Sequence, residues 1–424
     1  MKKIVLSIAA VMAAAAFAPE ASAVPAFARQ TGMACSACHF QHFPLLNGFG
    51  RAFKSGGFTM MGAQGKIEGE HLDIPNVVNI GGFTTTAYQN QSAGTAGALN
   101  GGAPRWIVPT TGGELSLFIG GRISEFAGFL GEAALGGNGA ANLGGVVGAA
   151  KLALLFPVGD ARVGAVIHSS TGQGVAYSFE LLNTGAANTH KLMGNSGPNG
   201  QHVKATSASQ YLGTNTAATG ISLVANNSMG FINVGKFETA GNNAVAGANQ
   251  LPLTYMRAAG IVDVAGLEAG FGIQSFSGQS DVTGSNLKAT VLDAQLQGEL
   301  ADLPVGFYAS YASAPNAAVN ALAPAAAAGV TFNANPNTKT SFNVAAEVGI
   351  IPHVATIQIA YRNANNGAAA NSGDNAIMLA GTYELAQNVA LSLTTTSQSG
   401  SAWNVAGAVP VGKNATTLLL EALF

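Results

Sequence analysis

From about residue 76 onward, apolar and polar residues alternate one for one, the period of a half-buried β-strand. Leu267, Ala269, Phe271 and Ile273 point one way, and Glu268, Gly270, Gly272 and Gln274 the other. Leu303, Val305, Phe307, Ala309 and Tyr311 alternate with Pro304, Gly306, Tyr308 and Ser310. The pattern returns in Ala355, Ile357, Ile359 and Tyr361 against Thr356, Gln358, Ala360 and Arg362. It returns again in Val389, Leu391, Leu393 and Thr395 against Ala390, Ser392 and Thr394. Short turns fall near Gly121-Arg122, Pro157 to Asp160, Asn226-Asn227, Val264 to Gly266, Ala301-Asp302, Ile351 to His353 and Ala386 to Asn388. Between them lie longer Gly/Ala/Asn-rich connections, near 89–112, 135–144, 170–217, 239–250, 278–285, 314–338, 365–373 and 399–412. Short turns opposite long loops predict an all-β fold, a transmembrane antiparallel β-barrel of about sixteen strands over 76–424. An even strand count returns both ends of the barrel to the periplasmic side. The apolar run Val175 to Leu182 would break that parity as a strand. It is therefore expected inside the longest loop, folded inward to narrow the pore. His190 and His202 share this loop and read as solvated rather than as metal ligands.

Composition separates this reading from a soluble β-sandwich or β-helix. Charged residues make up 9 % of the 424 positions and hydrophobic residues 48 %, with 56 glycines. A typical soluble domain carries about 25 % charge. No apolar stretch of the roughly 20 residues a spanning helix needs follows the N-terminus. Low charge, high glycine and no long apolar run together favour a barrel in lipid. The net charge of -2 argues against a nucleic-acid partner. Residues 1–23 read as an export signal: basic Lys2 and Lys3, apolar Ile4 to Phe17, and the cleavage motif Ala21-Ser22-Ala23. The mature chain is expected to begin at Val24. The short apolar run argues against a retained anchor, and no cysteine follows the cleavage point to carry a lipid.

The two cysteines of the chain both fall in Cys35-Ser36-Ala37-Cys38-His39. This C-x-x-C-H string is the attachment pattern of a c-type haem. Two thiols add across the two porphyrin vinyl groups, and the following histidine becomes the proximal iron ligand. A structural zinc site needs four ligands, and no second pair exists. A redox C-x-x-C expects a βαβ pattern that is not found here. A disulfide would close too small a loop to stabilise much. One covalent haem c is therefore expected in an α-helical cytochrome segment over 24–75, too short to bury much surface alone. Cys35 to His42 reads as a helix entered through Thr31-Gly32 and ended by Pro44, with a second helix near Leu46 to Lys54 closed by Ser55-Gly56-Gly57. Phe40, Phe43, Phe49, Phe53 and Phe58 are expected around the porphyrin. Met33 and His42 lie too near the attachment point to reach the opposite face of the iron. Met60 or Met61 is the distal candidate, His71 the weaker one, and an open position the third possibility. Arg29, Arg51 and Lys54 are candidate partners of the haem propionates, or simply surface charges.

Leu418, Leu420, Ala422 and Phe424 end the chain on one face, a terminal aromatic that resembles the recognition signal of outer-membrane barrels. Inward Glu268, Asp293, Glu299, Glu347 and Glu384 would give the lumen some acidic character and attract cations. With both halves read, the chain resembles the fused monohaem cytochrome–porins of the bacterial outer membrane, best known as extracellular iron oxidases. The resemblance is sharpest over Phe27-Ala28-Arg29-Gln30-Thr31-Gly32, Cys35 to His39, Pro44-Leu45, Phe49-Gly50-Arg51, Phe53-Lys54 and Gly57-Phe58. Over the barrel it is one of pattern only. Met60-Met61 and Glu68 to Asp73 match no motif of the family. The resemblance implies haem c on Cys35 and Cys38, His39 on the iron, and electron transfer across the outer membrane. The expected function is a conduit that takes single electrons from an extracellular donor, Fe(II) foremost, and passes them to a periplasmic cytochrome. A transport porin with a haem-bearing plug, electron export, and a peroxidase-like enzyme are the alternatives.

Overall fold

The computed structural model describes residues 25–62, 64–92, 104–109, 112–135, 147–185, 206–215, 217–239, 250–281, 284–317, 331–404 and 413–424. The export signal and the stretch holding His190 and His202 lie outside these residues. Sixteen long strands form a closed antiparallel barrel. Its first half comprises β3 (Ile80–Gln91), β6 (Leu115–Arg122), β7 (Ala127–Ala134), β8 (Val147–Val158), β9 (Ala161–Ser170), β10 (Ala218–Asn227), β11 (Gly230–Glu238) and β12 (Leu253–Val264). The second half comprises β13 (Leu267–Ser277), β14 (Ala289–Leu300), β15 (Leu303–Ala314), β16 (Lys339–Ile351), β17 (Ala355–Asn365), β18 (Asn375–Ala386), β19 (Val389–Ser399) and β20 (Asn414–Leu423). Two short segments, β4 (Arg105–Pro109) and β5 (Gly112–Gly113), lie beside β3.

Closure comes from the two ends of the barrel sequence. β20 pairs with β3, Leu423 opposite Phe83 and Ala415 opposite Gln91, so no strand edge is left open. Terminal Phe424 extends the seam by exchanging backbone hydrogen bonds with Gly82. Every pair of consecutive strands from β6 onward is joined alternately by a short turn and a long connection. Two of the turns are two-residue links with both residues left-handed, Ala265-Gly266 at φ 56° and 81°, and Ala301-Asp302 at φ 52° and 63°. That geometry matches the twist of paired strands. No strand forms over Val175 to Leu182, so the sixteen-strand parity holds.

Alternation assigns the two surfaces. Leu223, Ile232, Phe271, Leu292, Phe307, Ile357 and Leu393 are exposed on the outside, while their inward neighbours Ser222, Asn233, Asp293, Tyr308, Gln358 and Thr394 are buried. An apolar exterior around a polar interior is the reverse of a soluble sheet sandwich. It fits lipid outside, because every backbone polar group is satisfied within the cylinder. Among the described residues, no helix is long and apolar enough to cross a membrane.

The N-terminal segment supplies α1 (Pro25–Thr31), α2 (Cys35–Cys38) and α3 (Gly48–Ser55), followed by a hairpin of β1 (Lys66–Gly69) and β2 (Leu72–Pro75). The helix expected over Cys35 to His42 is cut to four residues. His39 is already extended, at φ -108° and ψ 137°, and bridges Leu46 in antiparallel fashion. Phe43-Pro44 sits at the reversal, where proline cannot donate and its predecessor avoids the helical region. The second helix matches its expected place, and Asn47 caps it by accepting from Gly50 N–H at 2.9 Å. Helix α1 and the β1–β2 hairpin have no counterpart in the sequence-based reading.

Candidate functional site

The short helices fill the short-turn end of the lumen, and their hydrogen-bonding partners on the wall lie toward that rim. At the β16–β17 side, buried His42 has Nε2 3.0 Å from Glu347 Oε2 and 2.9 Å from Gln358 Nε2. Tyr308 donates to the other Glu347 oxygen at 2.7 Å. Arg51 pairs with Glu268 at the start of β13, and donates to Gln297 Oε1 at 3.1 Å and to the Leu46 carbonyl at 2.8 Å. Leu45 is fully buried among Tyr308, Ala345, Ala360, Ala376 and Met378. On the opposite wall Gly57 packs on Ala153 and Leu155 of β8. Gln30 ties α1 down completely: its Nε2 donates to Phe58 and Met60 carbonyls, both at 2.7 Å. Its Oε1 accepts from Asn79 Nδ2 at 3.2 Å and from Arg122 N–H at 3.0 Å. All four hydrogen-bonding positions of the amide are thereby used.

Within this plug the C-x-x-C-H turn is held by its own hairpin. Phe40 N–H donates to the Leu45 carbonyl at 2.9 Å, and Asn47 N–H to the Cys38 carbonyl at 3.0 Å. The same Leu45 carbonyl lies 2.9 Å from His39 Nδ1. A carbonyl can only accept, so Nδ1 carries the proton and Nε2 is the basic nitrogen, the tautomer an iron ligand needs. Phe43 meets the His39 ring edge-on, centroids 5.3 Å apart. Helix α3 crosses the turn at Gly50, where a Cβ would come within 2.1 Å of the Cys38 carbonyl oxygen. Cys35 and Cys38 form no disulfide with each other and are half-buried. Cys35 Sγ lies 3.8 Å from Asn388 Oδ1, in the β18–β19 turn, which sets the thiol at the short-turn mouth. Burial first, and then Glu384, push the Cys35 thiol up to about 12.

The structure sorts the remaining expected site residues. Arg29 donates to the Ile80 carbonyl at 2.5 Å and so joins α1 to the first barrel strand. Arg51 is bound to the wall as described, and among the described residues neither Arg29 nor Lys54 has a carboxylate at ion-pair distance. Met60 and Met61 follow the Gln30 contact, on a stretch that folds back on α1: a Cβ at Gly62 would meet the Thr31 carbonyl. His71 sits at the exposed tip of the β1–β2 hairpin with φ 67°, beside Glu70. Phe53 and Phe58 close on Phe27, with centroids 5.0 and 5.1 Å from it, and Phe40 packs against the Leu45 cluster. Phe49 is among the exposed large side chains.

From the other side the longest loop folds into the lumen, as its apolar run predicted. Val175–Tyr177 forms a 3-10 turn, and Phe179, Leu181 and Leu182 pack on Ala153, Leu155, Val166, Val224 and Phe231. Glu180 is clamped by Arg257, whose Nε donates to Oε2 at 2.9 Å. The same guanidinium donates to Asp293 at 2.5 and 3.0 Å. A second stretch, α4 (Ala208–Leu212), packs on β15 and β16. Three of the five lumen carboxylates expected to attract cations thus hold structure instead: Glu268 pairs with Arg51, Asp293 with Arg257, and Glu347 with His42 and Tyr308, while Glu299 is exposed. Sequence reasoning missed Gln30, His42 and Asn183 as anchors. Only Gln30 carried a signal, its place in the ordered motif before the cysteines.

No protein-family model and no curated protein matches the sequence. Among solved structures, the outer membrane channel DcaP of Acinetobacter baumannii is similar with a TM-score of 0.51 at 12 % identity, over 85 % of this chain and 99 % of that one. OmpF of Salmonella typhi, solved with daunomycin, gives a TM-score of 0.49 at 11 % identity over 85 % and 100 %. An anion-selective porin from Comamonas acidovorans gives 0.45 at 14 % identity over 82 % and 99 %. At these identities the likeness is one of fold. The closed cylinder and its apolar outer band, with the fold likeness to DcaP, make the chain a porin-like β-barrel of the bacterial outer membrane, in contact with lipid.

Proposed function

We propose that the plug carries one covalent haem c on Cys35 and Cys38, with His39 as an axial iron ligand, and that the protein is an outer-membrane electron conduit. The observation that carries this reading is the seating of the C-x-x-C-H turn in the periplasmic mouth of a closed barrel, with His39 Nδ1 engaged by Leu45. The donor set fits the group: two thiols one helical turn apart, and an imidazole of the right tautomer. When bound, the haem supplies one-electron redox chemistry at a single iron. The chain's own residues do the rest. Leu45 fixes the ligand ring, Phe43 packs on it, and His42, Arg51 and Gln30 pin the turn to the wall.

An extracellular donor too reactive or insoluble to cross the membrane gives up one electron per molecule. Fe(II) is the donor proposed, leaving as Fe(III), and a periplasmic c-type cytochrome or similar carrier accepts the electron. Met60 or Met61 is the second iron ligand proposed; Met60 is exposed and Met61 half-buried, while His71 at the hairpin tip is more exposed than either. The alternative of a transport porin would require solute to pass a plug held by buried contacts from two sides. Electron export would use the same parts in reverse.

Stopped-flow mixing of the purified protein with Fe(II) tests the proposal. The oxidised haem spectrum is expected to convert to the reduced one, and Cys35→Ser with Cys38→Ser is expected to abolish the covalent haem and the reaction. Haem that stays oxidised at every accessible pH would overturn the iron assignment, and protein lacking covalent haem would overturn the conduit. In liposomes, electrons crossing without solute flux separate the conduit from the porin.

A further inference from the structure

A group of basic side chains between plug and wall has no ion-pair partner among the described residues; Glu180 acts on Lys54 only at longer range. Lys151 on β8 and His168 on β9 are directly paired across the strands, and both face the lumen, 4 % and 3 % exposed. Neither ring nitrogen of His168 has a hydrogen-bond partner. Gly220 stands opposite His168 on β10, where a Cβ would come within 3.0 Å of Nε2, so the glycine keeps space beside that nitrogen. Lys151 Nζ donates to the Tyr177 carbonyl at 2.8 Å and lies 4.0 Å from the Tyr177 ring centroid and 5.6 Å from that of Phe58. Lys54 approaches from α3, within electrostatic reach of Lys151, as Lys151 is of His168.

The nearest carboxylates are otherwise engaged. Glu132 accepts from Ser116 Oγ at 3.0 Å and from Gln173 Nε2 at 3.1 Å. Glu180 is held by Arg257 and by the Leu182 N–H. Among the described residues no carboxylate lies at ion-pair distance from Lys54 or Lys151. A buried ammonium beside an unsatisfied buried imidazole, with the half-buried Lys54 ammonium within electrostatic reach, carries a desolvation cost that one anion would offset.

We propose that Lys54, Lys151 and His168 form an oxyanion-binding site in the lumen, which accepts a phosphate or carboxylate group and bridges the plug to the barrel wall. Two ammonium groups supply charge-assisted hydrogen bonds and the imidazole a third donor. The occupant is either a free oxyanion in the pore or a carboxylate arm of the porphyrin carried by the plug.

Calorimetric titration of the full-length protein in detergent with inorganic phosphate tests the site, alongside Lys151→Met, His168→Gln and Lys54→Met. Lys54→Met lies on the plug and leaves barrel pairing intact, and circular dichroism checks that each variant is folded. Saturable binding by the intact protein, weakened at least tenfold in the variants, identifies a free oxyanion. Binding only after Cys35→Ser with Cys38→Ser, again weakened tenfold by Lys151→Met, identifies the porphyrin carboxylate. No saturable binding in either form, or equal affinity in all variants, overturns the proposal. If the protein carries no haem, the two forms behave alike and the phosphate titration still decides.

Discussion

The side chain of Asn183 makes two hydrogen bonds to the backbone of Leu46: Oδ1 accepts from the N–H at 2.8 Å, and Nδ2 donates to the carbonyl at 3.0 Å. These residues arrive from opposite ends of the barrel, one on the long inward loop and the other on the plug. Leu46 follows Leu45, the residue that holds His39, so the loop braces the strand behind the proposed iron ligand. The carbonyl keeps its second donor, Arg51, but the N–H loses its acceptor, and an unsatisfied buried N–H costs about 1–3 kcal/mol. Asn183→Ala is therefore expected to speed hydrogen exchange at the Leu46 amide by about 10- to 100-fold. An unchanged exchange rate would show that the loop does not support the plug.

His42 tests how firmly the plug is seated. His42→Ala leaves buried Glu347 with Tyr308 and Gln358 but without the imidazole. Hydrogen bonds to charged groups contribute about 1.5–3 kcal/mol. The variant is expected to show larger and more frequent conductance openings in planar bilayers, as the plug leaves the lumen more often. Conductance equal to the intact protein would place the restraint elsewhere.

Gly50 is a packing prediction with a spectroscopic readout. The Cβ of Gly50→Ala would meet the backbone carbonyl of Cys38, which cannot rotate aside, and would also approach Leu46 Cδ2 at 3.1 Å. Helix α3 must move off the attachment turn. Haem content per protein, measured as the pyridine haemochrome, is expected to fall severalfold while far-ultraviolet dichroism keeps the strand signal. Full haem content would mean that this crossing is dispensable.

Arg257 is the hinge of the inward loop. It is fully buried and serves two carboxylates, Glu180 on the loop and Asp293 on β14. Removing one partner from a buried ion cluster costs about 3–5 kcal/mol, because the remaining charges stay unpaired. Arg257→Met is expected to release the loop, seen as faster proteolysis of the 171–217 stretch in detergent. Arg257→Met with Glu180→Gln and Asp293→Asn should recover part of the protection. If the single variant resists protease like the parent, the loop is held by its apolar contacts alone.

The outer half of this protein was legible residue by residue. Phe271, Phe307, Ile357 and Leu393 face outward because a strand turns each successive side chain through half a turn. Lipid then accepts only the apolar set. Turn lengths gave the strand parity, and the run Val175 to Leu182 could be recognised as a loop because a seventeenth strand would put the two ends of the barrel on opposite sides of the membrane. The pentapeptide from Cys35 to His39 carries, in its spacing, the proposed haem attachment.

The interior was not legible, for a physical reason. A lumen side chain such as Glu347 meets its partner His42 across 305 intervening positions, and no local period encodes that meeting. Lumen carboxylates therefore read as solvated cation attractors until the plug and loop were seen lying against them. The shortening of the attachment helix, the turning of Arg51 to the wall, and the facing of Lys151 and His168 were likewise set by packing. The sequence by itself determined the cylinder and the attachment string, since both rest on neighbours in the chain. Only the tertiary structure decided what fills the cylinder, since that depends on distant segments competing for the same buried space.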